Sequence, residues 1–222
     1  QTAGNMGNSD NMVLPEDSSA QVDGDGEFTT PETGQAVISS TETTTAVSDQ
    51  FITVRTDVYD LQIDRVSGNL VKARLLDYDD TLNSEKPLTL LNNTQNRLYV
   101  LESGLIGRDG PDANRSGRPR YDAEQQEFVM QGDTLSVPLT WQNADGVAVT
   151  KTYNFTKGSH DIALTYTIAN NSSQTTTFQQ YAQLKQTTQV PDGGNMFMPT
   201  YRGAAYGTDE DRYEKYPFDD IE

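Results

Sequence analysis

LSVPLTWQNADGVAVTKTYNF, residues 135–155, contains two runs in which apolar residues recur at every second position. In the first run Leu135, Val137, Leu139 and Trp141 share one parity; in the second Val147, Val149, Tyr153 and Phe155 do. Successive side chains of a strand point to opposite faces, so each run has one face to bury and one to leave in water. Between them lies Asn143-Ala144-Asp145-Gly146, whose Asp-Gly pair tolerates the backbone geometry of a tight turn. The spacing predicts an antiparallel hairpin. Pro138 has no N–H to contribute to a ladder, which places the first strand at a sheet edge or at a bulge.

Working outward, Lys157-Gly158-Ser159 turns the chain into DIALTYTIA, where Ile162, Leu164, Tyr166 and Ile168 align. A polar turn at 170–173 follows, and TTTFQQYAQLKQTTQV is extended again. Upstream, FITVRTDVYDLQID begins at Phe51 with Ile52, Val54 and Val58 in step, then Tyr59, Leu61 and Ile63 in the opposite phase. Such a change of phase suggests a bulge or a strand passing between sheets. Ser67-Gly68-Asn69 forms a turn, and residues 70–76 form another strand. No stretch of helical length carries an apolar stripe with caps at both ends. Short strands joined by Gly, Asn and Asp turns predict an all-β sandwich, with at most a short helix near the acidic C-terminus.

Charge divides the chain unevenly. Of 222 residues, 33 are acidic and 16 basic, for a net charge of -17. Residues 1–50 hold nine of the acids and no Lys or Arg, and Gly, Ser, Thr, Asn and Asp fill most of them. A segment so poor in apolar residues does not offset the entropy of ordering its backbone, so it reads as a disordered acidic linker ahead of a folded body at 51–222. The overall charge opposes contact with nucleic acid or anionic lipid through a global positive field. The absence of Cys excludes a disulfide framework, a thiol nucleophile and a thiolate metal site; the single histidine excludes a multi-histidine metal centre within one chain. No run approaches the ~18 apolar residues of a membrane span.

The search for chemistry finds no catalytic, cofactor or metal motif. His160 follows Gly158-Ser159 in a turn and reads as a solvent-facing residue, since a catalytic base needs an oriented nucleophile and carboxylate. Asp77-Tyr78-Asp79-Asp80 lacks the spacing of a calcium loop. Residues 103–121, SGLIGRDGPDANRSGRPRY, contain four glycines, two prolines and four arginines, a composition that argues against a regular element. The segment is either an ordered crossover in which Arg108 and Asp109 bond back to the backbone, or a recognition loop using Arg108, Asp109 and Arg118. The C-terminal stretch carries Tyr201, Arg202, Tyr206, Tyr213 and Tyr216 among seven acids. That charge disfavours stacking of single-stranded nucleic acid, and tyrosines beside mixed charge suit a modest protein contact.

SGLIGRDGPD (103–112), GRPRY (117–121), YAQLKQ (181–186) and YRGAAYGTDEDRYEKYPFD (201–219), occurring in this order, resemble the large periplasmic domain of the bacterial YidC membrane protein insertases. FITVRTDVYDLQID is similar to that domain's opening strand pair. The resemblance covers residues 51–222. It implies a twisted β-sandwich of the galactose-mutarotase-like type facing the periplasm. The implied parent is an inner-membrane protein that inserts and helps fold other membrane proteins, alone or beside the Sec translocon. Its partners would be Sec translocon subunits and nascent membrane proteins, and no cofactor is implied. It also implies further strands beyond residue 222, which would leave the row of Leu135, Val137, Leu139 and Trp141, or that of Ile162, Leu164 and Tyr166, partly uncovered here. The mutarotase-like fold supplies an alternative, a carbohydrate-binding or sugar-processing domain.

Overall fold

The hairpin at 134–156 forms as its alternation requires. In the computed structural model, which describes residues 49–113, 117–188 and 201–220, twelve strands follow one another. They are β1 (Phe51–Arg55), β2 (Tyr59–Asp64), β3 (Asn69–Asp79), β4 (Pro87–Thr94), β5 (Arg97–Ile106), β6 (Glu127–Val129), β7 (Thr134–Gln142), β8 (Val147–Thr156), β9 (Ile162–Asn170), β10 (Gln179–Gln186), β11 (Gly203–Tyr206) and β12 (Glu214–Pro217). Two short 3-10 turns, η1 (Pro111–Ala113) and η2 (Phe218–Asp220), complete the described elements. The expectation that residues 1–50 form a linker falls, except at 49 and 50, outside the described residues. Among the described residues no helix is long and apolar enough to cross a membrane.

The strands form a seven-stranded sheet in the order β10-β5-β4-β3-β2-β1-β6, a three-stranded sheet β7-β8-β9 and a two-stranded sheet β11-β12. Every pairing of the large sheet is antiparallel except that of β1 with β6. The first two sheets share one core, in which Ile52, Val54, Leu61, Ile63 and Leu70 meet Val137, Leu139, Tyr153 and Phe155. The domain is an all-β sandwich. β7 runs along an edge of the small sheet, and Pro138 sits opposite Thr152 of β8. Asn143 closes the hairpin by accepting the N–H groups of Asp145 and Val147 at 3.0 and 2.9 Å.

Two expectations are corrected. The change of phase between Val54 and Tyr59 marks a turn between two antiparallel strands, not a bulge or a strand changing sheets. Thr56 makes the turn: its Oγ1 accepts from the N–H of Val58 and Tyr59 at 3.2 and 3.0 Å, and its own N–H donates to Tyr59 O at 2.9 Å. Residues 103–106 are regular structure, the end of β5, because a glycine at 104 leaves room for a carboxylate behind the strand. Of the two rows expected to be partly uncovered, that of Ile162, Leu164 and Tyr166 is half-buried throughout, whereas in the other Leu135 and Trp141 are half-buried and Val137 and Leu139 fully buried.

Removing methyl groups should therefore cost very different amounts at two leucines. Leu139→Ala, at a site with no exposure, should lower unfolding free energy by about 2–5 kcal/mol. Leu184→Ala, where the side chain is 62% exposed on β10, should change it by less than about 0.5 kcal/mol. Urea unfolding of the two variants makes the comparison.

Candidate functional site

The second run of the hairpin contains a residue that its apolar pattern conceals. Lys151 has the parity of Val149 and Tyr153, so β8 carries its side chain into the core, where no part of it is exposed. An amine there must bring partners. Nζ donates to Ser67 O at 3.1 Å and to Ser103 O at 2.7 Å. Next to it, Tyr153 Oη donates to Gly68 O at 2.7 Å. Ser67 and Gly68 both have positive φ, 64° and 59°, the left-handed geometry of a tight hairpin turn. The Cβ that a larger residue would add at Gly68 would lie 3.2 Å from Lys151 Cδ.

Around the amine lie Asp112, Tyr121, Tyr153, Tyr166 and Tyr181. Asp112 of η1 is 1% exposed, and its Oδ2 accepts the N–H of Leu105 at 2.8 Å. A Cβ on Gly104 would stand 2.3 Å from that same oxygen, which explains why glycine occupies the strand end. Burial pulls Lys151 down from 10.5 to about 7, and the negative charge of Asp112 opposes the fall. Burial also pushes Asp112 up, against its backbone hydrogen bond and the charges of Lys151 and Arg118. Tyr121, Tyr153 and Tyr166 are raised chiefly by burial, and Tyr181 for the same reason to about 12.

The loop residues named from sequence separate. Arg118 turns toward this cluster: its Nη1 reaches Ser67 Oγ at 3.5 Å, and its charge favours ionised Tyr181 and Asp112. Arg108 points outward, with its side chain 75% exposed and Nε 3.5 Å from Asp109 Oδ2. Asp109 Oδ2 also accepts the N–H of Thr177 at 2.8 Å, tying the loop to the segment before β10. Arg120 joins a surface group in which Asp49 accepts from Arg65, Arg120 and Gln126.

The C-terminal residues form a separate surface on the β11–β12 ribbon. Tyr206 and Tyr216 lie on one face with ring centres 5.8 Å apart, a diagonal cross-strand pair in a register that sets Ala204 against Tyr216 and Tyr206 against Glu214. Lys215 Nζ lies 4.8 Å from the ring centre of Tyr201 and 5.4 Å from that of Tyr213. All four tyrosines are exposed, Tyr213 most at 64%. Arg202 is half-buried, donates to Thr188 O and lies over the ring of Phe218.

His160 belongs to neither group. Its ring packs edge-on against Tyr59 and Tyr78, with centres 5.5 and 5.6 Å away, and its carbonyl accepts from Tyr59 Oη at 2.7 Å. That is a packing role. The sugar-processing alternative receives no support from it.

The family described as the YidC periplasmic domain matches residues 51–222, which begin with the first strand. The chain belongs to the YidC family. It is 44% identical over 218 residues to the membrane protein insertase YidC of Marinobacter nauticus, covering 96% of this chain and 38% of that protein. Identity with the YidC of Pseudoalteromonas translucida is 47% over 170 residues, covering 77% of this chain and 31% of the relative. A YidC sequence from Proteus mirabilis is 41% identical over 215 residues, covering 85% of this chain and 90% of the relative. The chain thus spans about a third of the length of the first two relatives.

Within this YidC domain the buried amine sets a pH dependence. Between its lowered folded value and the ordinary 10.5, folded Lys151 has released a proton that the unfolded chain still holds. Stability therefore rises with pH across that window. The raised tyrosines oppose the trend only as pH passes 10, where the unfolded chain loses protons that the folded chain keeps. Lys151→Met removes the amine's titration, so the wild-type chain should gain on it by up to about 1 kcal/mol per pH unit between about pH 7.5 and 9.5. Urea unfolding of both proteins across that range measures the difference.

Proposed function

We propose that this domain is a non-catalytic, periplasm-facing interaction module of a membrane protein insertase, which inserts and helps fold inner-membrane proteins alone or with the Sec translocon. The observation that carries the reading is the match of residues 51–222 to the YidC periplasmic domain, together with relatives named membrane protein insertases. The site geometry is consistent with it: the ionisable cluster is largely buried between the sheets, and the tyrosine ribbon is exposed. Tyrosines beside mixed charge supply rigid contact area with a polar tip, a composition suited to a modest interface with a Sec translocon subunit or a nascent membrane protein.

The contact is assigned to the region from Phe178 to Tyr216, with Tyr201, Arg202, Tyr206, Tyr213 and Tyr216 as its candidate residues. Photo-crosslinkers placed at Tyr201, Tyr206 and Tyr213 of the full-length insertase in its native membrane should capture a translocon subunit. Tyr216→Ala, at a half-exposed site, should reduce that yield several-fold while leaving the melting temperature nearly unchanged. Crosslinks forming only from probes at Arg108, Arg118 and Arg120 would move the interface to the 103–121 loop.

A further inference from the structure

The hydrogen-bond inventory of the buried cluster does not close with protein atoms. Asp112 Oδ1 and Tyr121 Oη are shielded from solvent and have no protein partner of hydrogen-bonding geometry, and Ser103 Oγ and Tyr166 Oη, equally shielded, have none beyond the contacts of the Ser103 hydroxyl with Tyr153 and Tyr166. Three of their residues are almost wholly buried: Ser103 at 1%, Asp112 at 1% and Tyr121 at 0%. In its protonated form, held below its lowered pKa of about 7, Lys151 has three protons to donate and places two of them, on Ser67 O and Ser103 O. Lys151 and Asp112 attract each other electrostatically, yet no direct ion pair joins them among the described residues. A donor and an acceptor of opposite charge are thus near enough to interact yet make no direct contact.

These groups lie together. Tyr121 interacts electrostatically with Asp112, Tyr166, Tyr153 and Tyr181. The Ser103 hydroxyl is within hydrogen-bonding reach of those of Tyr153 and Tyr166. Lys151 Nζ is 5.7 Å from the ring centre of Tyr153 and 5.8 Å from that of Tyr166. A buried polar group left without a partner costs on the order of 1–3 kcal/mol, and several such costs in one place are a heavy load for a domain of ordinary stability. Interior waters answer this demand where two to four polar partners converge.

We propose that the space between the two sheets is a buried water site, in which bound water joins the third proton of Lys151 to Oδ1 of Asp112, with the hydroxyls of Ser103, Tyr121 and Tyr166 completing its hydrogen bonds. The site links β8 and β9 of the small sheet to β5 and to η1. Through it η1 is held to the opposite sheet by solvent, while Oδ2 of Asp112 keeps the N–H of Leu105.

Oxygen-17 relaxation dispersion on the 222-residue chain counts waters that remain bound longer than the molecule takes to tumble. The wild-type chain should hold at least one more such water than Asp112→Leu, which fills the space with an apolar side chain. Equal counts in the two folded proteins would overturn the proposal. If Asp112→Leu does not fold, Tyr121→Phe decides, because it deletes a single oxygen and keeps the ring. A hydroxyl bonded to bound water makes that variant less stable, lowering the melting temperature by about 2–4 °C. An unchanged or higher melting temperature would mean that the hydroxyl has no partner and the space is dry.

Discussion

A lysine amine buried between two sheets is the constraint around which this domain is arranged. Stripping an ammonium of water is expensive, and the cost is tolerable only when fixed acceptors replace the lost shell. Here the acceptors are backbone carbonyls from two places distant in sequence, the turn between β2 and β3 and the inner end of β5. A carbonyl faces the core at Ser67 only because the chain there turns through left-handed geometry, and the same turn presents Gly68 O to Tyr153. The small sheet is thereby registered on the large one by directional bonds, whereas apolar contact alone would permit sliding. Asp112 then follows as the compensating charge, and Gly104 follows from the space that Asp112 needs.

The local part of this design is legible in the sequence. The parity of β7, β8 and β9, the Asp-Gly turn, the Ser67-Gly68 turn and the edge position of Pro138 all express rules acting over a few residues. Lys151 obeys the same parity, and its place in line with Val149 and Tyr153 is the one signal that could have exposed it. Type argues against position, however, since lysine belongs on the wet face unless something receives it. What receives it lies 84 and 48 residues away, and no pattern within a strand records that. β4 and β5 are harder to read for a related reason. Polar residues such as Asn92, Asn93 and Glu102 interrupt their alternation; Glu102 is buried and accepts from Gln183 of β10 at 2.7 Å.

The candidate site divides along the same line. Arg108 and Arg118 are equivalent by composition, ten residues apart in a loop rich in glycine and proline. The fold sends one into water and the other to the edge of the buried cluster. No pattern within a few residues of either separates them; between them, Asp112 of η1 is anchored against Leu105. The tyrosines of the C-terminal ribbon are the simpler case, because four tyrosines within sixteen residues, Tyr201 to Tyr216, stand out as an excess in the amino-acid sequence itself.

Two groups of tyrosine thus do opposite work in one domain. Tyr121 and Tyr153 are enclosed, raised by burial and committed to internal order. Tyr206 and Tyr213 stand in water on a two-stranded ribbon. A two-stranded ribbon is marginally stable alone, so its aromatic faces must be supported. The stacking of Lys215 on Tyr201 and Tyr213, and of Arg202 on Phe218, supplies that support from the ribbon's own cations. Each such contact contributes about 0.5–1 kcal/mol at an exposed site. If, as proposed, a partner docks on these rings, it would meet tyrosines already ordered by cations, so part of the ordering cost that opposes association would be met within the domain.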